Sequence, residues 1–426
     1  MAWLESVRFT PHRSSVVDGS VTWSAVLGGT VINGLPQLFW EDGSPWREAN
    51  LWAQGRAICA DVDLKTVQSN MTALHAYAMW LEKTGTSWWD FPPKKADRCL
   101  VRYRGALISA RDIEGLAPST ASQRMAAVIR FYRWLYATGL ISPTWPMWRE
   151  RVIGIRLIDG IGFARTVSVN STDLCIRNRK AVGNRLEGGL LPVSSKDRDS
   201  LLTFTKENAS EELFLMLSLG FFTGMRLGTL TDLKIETLEH AVPDPSGPEL
   251  YRVAVGPGAS PPVHTKGGVT GHILITRAHL DALLEYFYSV RRLSRQAFAT
   301  RENQSLIFLT RFGNPYSSLG SERSPAVNVE MHSLRKRAES NGLAVLRHFH
   351  FHQTRCTFGT ELARLAIPIC GAINALAIVK DLLLHKKEAT AMLYIRFAER
   401  SAAKEEAANA FTREFLGVIN GRAGGK

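Results

Sequence analysis

The 426-residue sequence has no GxxxxGK[ST] phosphate-binding loop, no CxxC pair and no acidic cluster of the kind that holds catalytic metals. Nothing in it therefore points to ATP-driven chemistry, a zinc ribbon or a redox dithiol. Cysteine is scarce. Cys59, Cys99, Cys175, Cys356 and Cys370 are odd in number and widely spaced, which suits reduced, mostly structural thiols. Long apolar runs are also missing: residues 213–225 and 365–379 stop short of the ~18 residues that a membrane span needs. The second run also contains Pro368 and Asn374. The opening MAWLESVRF carries Glu5 and no apolar core behind a basic start, so no secretory signal and a cytoplasmic location are expected.

Negative charge is in deficit. Lys and Arg number 52 against 39 Asp and Glu, a net charge of +13, and the isoelectric point of 9.7 lies in the range of nucleic-acid binders. The basic residues are scattered, with no basic block beside an amphipathic stripe, so a polyanion is a better partner than a membrane surface. What is present is ordinary: 45% hydrophobic, 21% charged and 9% aromatic residues make a globular protein and exclude wholesale disorder. The length is about three times the ~150-residue domain prior, so two or three packed units are expected.

Residues 1–45 mix Gly, Ser, Val and Thr with few helical periods and read as an N-terminal extension with short strands. Val67, Met71, Leu74, Ala78 and Leu81 then form one helical stripe, ending near Gly85. A second helix follows Pro118, with Ser119 or Thr120 as cap, Met125, Val128, Ile129, Tyr132 and Leu135 as its face, and a stop at Gly139. Residues 46–145 thus read as a small helical domain. Residues 146–190 have weak periodicity and many Arg, Gly and Ser, and read as a basic linker. Helix signals return with a Ser194 or Ser195 cap and a run to about Asn208, followed by the apolar 213–222, which should be buried all round. YRVAV, VHTK and GHILI between 251 and 275 predict a small antiparallel sheet, and 277–298 predicts one further helix. A catalytic or binding domain over 191–416 and a loose tail at 417–426 complete the division.

Several residues could carry chemistry, and each has a plainer reading. Arg226, in TGMRLGTL, could meet a phosphate with its planar fork, yet most arginines at helix starts are solvated or paired. Lys266, at the tip of VHTKGG, could reach a ligand and donate a proton, yet a hairpin lysine is usually surface charge. In RHFHFHQTRC, His352 and Arg355 lie one helical turn apart. A strand there would instead align His348, His350 and His352 and raise the possibility of zinc, but no acidic or cysteine ligand has the usual spacing. Further on, His385 precedes Tyr394 by nine residues, and an isolated helical tyrosine is most often core.

Taken in order, Arg226, Lys266, the pair His352 and Arg355, His385 and then Tyr394 resemble the tyrosine recombinase (phage integrase) family. The resemblance covers residues 190–410 by motif, and 45–143 is similar to that family's helical core-binding domain. It implies a mainly α protein: a helical core-binding domain plus a mostly helical catalytic domain containing a small antiparallel sheet. It also implies that Arg226 and Arg355 clamp a phosphate, Lys266 acts as general acid, His352 is a proton acceptor or hydrogen-bond partner, His385 hydrogen-bonds the phosphate and Tyr394 is the nucleophile. Two positions depart from the family pattern: Thr229 stands where an acidic residue is common, and Leu384 where a glycine often precedes the histidine. The stretch between Arg355 and His385 is also several residues longer.

The implied activity is site-specific cutting and rejoining of double-stranded DNA through a 3′-phosphotyrosyl bond, without metal, ATP or cofactor, in the service of a mobile element. The resemblance further implies a bacterial cytoplasm or nucleoid location and a homotetramer on DNA in which residues 401–416 pack on a neighbour. A clamp with the helical domain on one side of the duplex is also implied, most of its affinity coming from phosphates. Two alternatives stand beside it: a type IB topoisomerase-like relaxing enzyme and a non-catalytic DNA-binding relative. The reading requires that the phenol of Tyr394 and its cationic and imidazole partners converge, and that the phenol can reach a DNA phosphorus.

Overall fold

The computed structural model describes residues 1–59, 62–113, 115–158, 164–178, 186–318 and 323–403, with side chains left out over 153–169. The expected tail at 417–426, the part of the expected neighbour-packing segment beyond 403, and linker residues 159–163 and 179–185 lie outside the described residues. The chain divides into two compact units, Met1–Ala181 and Val182–Lys426.

In the first unit, the region read as an extension forms four strands: β1 (Trp3–Phe9), β2 (His12–Val17), β3 (Ser20–Ala25) and β4 (Ile32–Phe39). β1 pairs antiparallel with β4, and β2 with β3. Asp18 and Gly19, both at positive φ, make the two-residue turn whose twist suits a tight hairpin. β4 buries Leu35 and Leu38, so the β1–β4 ribbon contributes to the helical core.

That core is built by α1 (Arg47–Ile58), α2 (Leu64–Thr84), α3 (Cys99–Asp112) and α4 (Pro118–Ala137). All five residues of the stripe predicted on α2 are buried, as are all five predicted on α4. Asp63 caps α2 by accepting from the Lys65 amide, and Gly85 ends it in the left-handed conformation. The cap of α4 differs from expectation. Ala117 holds that position and Ser119 and Thr120 lie inside the helix, because Pro118, with its fixed φ and no N–H, fits the first helical turn. The linker segment contains a hairpin, β5 (Glu150–Ile158) and β6 (Ala164–Thr172), paired without a register break. Its weak helical period was a strand signal, since RVIGIRLI and ARTVSV are rich in β-branched residues.

The second unit opens with α5 (Ser195–Asn208), capped by Ser194, and α6 (Glu211–Thr223), nearly all of it buried as its composition demands. Short α7 (Leu227–Thr231) and α8 (Ile235–Glu239) lead to a sheet ordered β7 (Val242–Pro243), β8 (Leu250–Val255), β9 (Gly271–Thr276). Tyr251, Val253 and Val255 on β8 and Ile273 and Ile275 on β9 face the core. The VHTK segment is not a full strand, since only Val263 bridges back, to Gly256.

The single helix expected over 277–298 is two, α9 (Arg277–Phe287) and α10 (Val290–Gln296). Ser289 interrupts them by turning its hydroxyl to the Arg292 amide and capping α10. α11 (Pro325–Ser340) precedes α12 (His352–Leu382), which breaks at Gly371, a residue at φ 77°. By length and composition α12 is, among the described residues, the one helix that could cross a membrane. Its first turns bury Thr354, Arg355, Cys356, Thr357, Gly359 and Thr360 in the protein, while Leu365, Ile369 and Ile373 further along are exposed. Residues 388–403 form the last described helical stretch.

Candidate active site

Four parts of the second unit bring the predicted residues together. Arg226 follows Gly224, which ends α6 at φ +66° and whose Cβ position would lie 2.5 Å from Phe358 and 2.7 Å from Leu383. A side chain there would clash with α12, so the turn that aims Arg226 needs glycine on two counts. His352 and Arg355 stand on the first turn of α12. The strand alternative for 348–352 does not form, because Ala344–His348 is a 3-10 turn. His385 follows Leu384, which has φ +49°. Leu384 therefore keeps the left-handed conformation that glycine would adopt freely, at a strain of about 1–2 kcal/mol. Tyr394 lies in the 388–403 helix against α12, and Gly359 makes room for it: a Cβ on Gly359 would fall 2.6 Å from the tyrosine ring.

Five of the six predicted residues meet at one carboxylate that was not predicted. Glu187 sits in the short turn Glu187–Gly189. His385 Nε2 is 2.6 Å from Glu187 Oε1, and Tyr394 Oη donates to the same oxygen at 3.1 Å. Arg226 Nη2 donates to Oε2 at 3.4 Å. His352 Nε2 lies 3.6 Å from Oε2 and Arg355 Nε 3.6 Å from Oε1. The Arg355 guanidinium is held from behind, since its two terminal nitrogens donate to the carbonyls of Gly224 and Leu383 at 2.8 and 2.7 Å. His385 and Tyr394 stack at 5.8 Å between ring centroids.

The electrostatics follow from this geometry. Burial opposes ionisation of Glu187, but the nearby His352 ring, the hydrogen bond with His385 and the charge of Arg355 outweigh it and hold the carboxyl far below the usual range. An ionised carboxylate can only accept, so the His385 nitrogen facing it carries a proton. Burial pushes the His385 imidazole down, against its bond to Glu187. It pushes the Tyr394 phenol well up, reinforced by the Glu187 charge and opposed by Arg355. Arg355 is drawn down by burial first and then by the like charge of Arg226.

Lys266 is not brought into this cluster. It is exposed on the loop between β8 and β9, where Gly267 and Gly268 both take positive φ. The loop lies beside the His385 segment all the same: a Cβ on Gly267 would come within 3.9 Å of Lys386, and one on Gly271 within 2.6 Å of Leu384. Thr229 is buried in α7. Glu187 is the residue that sequence reasoning missed. It is one of four acidic residues among 146–190, and nothing in LEGGL separates it from the others.

The phenol that the sequence reading requires to be reachable has no solvent exposure at all. The side chains around it form two layers: Glu187, Arg226 and His352 are 13%, 12% and 35% exposed, while Arg355 and His385 beneath them are 3% and 1% exposed. Convergence is present, and the hydroxyl is buried with Glu187 as its hydrogen-bond partner.

Comparison with known proteins places this geometry in context. Residues 193–400 match the model of the phage integrase family. Among solved structures, the Tn1549 transposon integrase in complex with transposon right end DNA is similar over 84% of this chain and 99% of its own, with 12% identity and a TM-score of 0.50. A lambda integrase dimer bound to a COC′ core site is similar over 82% of this chain and 93% of its own, with 15% identity and a TM-score of 0.47. No curated protein matches the chain. Identities this low speak to fold alone; the family match is independent of them and spans Arg226 to Tyr394. Residues 193–400 are a phage integrase family domain, the tyrosine recombinase family that the order of motifs resembles.

Proposed function

We propose that this protein is a site-specific DNA recombinase that cuts and rejoins strands through Tyr394. The observation that carries this reading is the convergence of Arg226, His352, Arg355, His385 and Tyr394 within 3.6 Å of a single anionic group. A backbone phosphate is an anion of similar charge with more oxygens to bind. Attack by a phenol on phosphorus concentrates negative charge on the non-bridging oxygens, which preorganised guanidinium groups stabilise best in a site closed to water.

In this scheme the Tyr394 oxygen bonds to phosphorus as the bond to the 5′-oxygen breaks. His352 takes the phenolic proton and Lys266 supplies one to the departing oxygen. Arg226, Arg355 and His385 hold the non-bridging oxygens. The 3′-phosphotyrosine keeps the energy of the diester, so a 5′-hydroxyl from another strand reverses the step and rejoins the DNA. Residues 191–416 supply the chemistry and 46–145 grip the duplex in this reading, with affinity that salt weakens steeply. A homotetramer on paired sites of a mobile element, in a bacterial cytoplasm or nucleoid, is the setting we assign.

The test is incubation with a nicked suicide substrate carrying the element's junction sequence, followed by denaturing electrophoresis. Wild-type protein is expected to give a slow protein–DNA adduct and Tyr394→Phe none. An adduct that persists in Tyr394→Phe would remove Tyr394 from its role.

A further inference from the structure

Glu187 occupies the place where the proposed chemistry puts a phosphate. We propose that it is an internal competitor for the scissile phosphate, a carboxylate plug that duplex DNA must displace before Tyr394 can attack. The inference rests on the recombinase reading above and adds a condition to it.

Three features support displacement. First, the carboxylate underfills the site. The N–H groups of Arg226 Nε and Arg355 Nε are buried without a hydrogen bond among the described residues, Arg355 Nε lying 3.6 Å from Glu187 Oε1. Two carboxylate oxygens cannot serve every donor present, whereas a phosphodiester brings four oxygens, so the exchange loses no hydrogen bonds of the pocket. Second, Glu187 lies in the outer layer of the site, with Arg226 and His352, over the sealed Tyr394. Its withdrawal would take from the Tyr394 hydroxyl its carboxylate partner, while Arg355 stays held by the Gly224 and Leu383 carbonyls.

Third, the turn is anchored on either side of the plug. Leu186 and Leu190 pack against the core that holds Tyr394, and the Leu186 amide donates to the Leu190 carbonyl at 3.0 Å. Gly188 and Gly189, at φ +67° and +75°, add no side chain beside that of Glu187.

Exchanging one anion for another inside the pocket is close to balanced. The balance is tipped by phosphate contacts made elsewhere along a duplex, which an isolated phosphate lacks. Tyr394 is thereby kept bonded and covered until extended DNA is bound, and apparent affinity is reduced by the fraction of molecules in which the plug is withdrawn.

The experiment compares full-length wild type, Glu187→Gln and Glu187→Asp in two assays: calorimetric titration with inorganic phosphate in the absence of DNA, and the rate of adduct formation on the suicide substrate below saturation. Thermal melts establish that each variant is folded. Glu187→Gln is expected to bind phosphate roughly tenfold or more tightly than wild type and to form adduct faster by a similar factor, as removal of a competing state requires.

Unchanged phosphate affinity in Glu187→Gln overturns the proposal. So does slower adduct formation, which would make Glu187 a positioning residue for the two histidines. If Glu187→Gln does not fold, Glu187→Asp decides. Its carboxylate is drawn back by one methylene, and it must bind phosphate more tightly than wild type or the plug is wrong. Gain of phosphate binding with no adduct in any protein would uphold the plug and sink the tyrosine chemistry instead.

Discussion

Tyr132 in the first unit and Tyr394 in the second are both without solvent exposure, and burial pushes both hydroxyls well above the usual tyrosine range. They differ in company. The Tyr132 hydroxyl pairs with that of Tyr77 at 2.9 Å and donates to the Trp88 carbonyl, among neutral neighbours that include Cys99. The Tyr394 hydroxyl bonds an ionised carboxylate that two arginines and two histidines surround. Tyr132 is fully satisfied where it stands. Around Tyr394, the Nε groups of Arg226 and Arg355 make no hydrogen bond among the described residues. Burial therefore does not distinguish these two tyrosines, and the charge of their partners does.

The sharpest way to break this comparison is to remove each hydroxyl. Tyr394→Phe is expected to abolish the covalent adduct, whereas Tyr132→Phe should leave it intact and cost about 1 kcal/mol of stability, the usual worth of one buried hydrogen bond. Denaturing gels and chemical melts read the two effects.

Charge comes next. Arg355→Ala strips a partner from Glu187 and leaves the carbonyls of Gly224 and Leu383 without their donor. Loss of one member of a buried charge cluster costs about 3–5 kcal/mol, a figure that equilibrium denaturation can check.

Glycines offer a matched pair. Gly359→Ala drives a methyl into the Tyr394 ring and is expected to cost about 1–3 kcal/mol through overpacking, and to slow adduct formation. Gly105→Ala, on α3 with open space around its Cβ, should stabilise by about 0.4–1 kcal/mol.

The smallest effect is a pH slope. The stability that Glu187 contributes is complete above its unfolded value near 4.5 and is lost as pH falls toward its much lower folded value. Acid melts of wild type should therefore steepen below pH 4.5 relative to Glu187→Gln, and equal slopes would mean that the carboxylate is not held by its cations.

Much of this was legible in the residues. The stripes of α2 and α4 were visible because a 3.6-residue period survives wherever one helix face is buried. Six candidate groups were visible because their order and type are specific. Glu187 was invisible because its role comes from where a turn of two glycines ends in space, which no local pattern encodes. The hairpin of β5 and β6 escaped because alternating Val and Ile among Arg and Ser gives little helical period. The break at Ser289 escaped because a serine cap competes with helix continuation only by a local hydrogen bond. Leu384 shows a left-handed backbone position held by a residue other than glycine.

The central claim is that Tyr394 is the atom donor in a bond to DNA, and mass spectrometry of the trypsin-digested adduct tests it most directly. Cleavage after Lys387 and Arg396 isolates EATAMLYIR. A nucleotide mass on Tyr394 of that peptide is the predicted result; the same mass on any other residue would contradict the account.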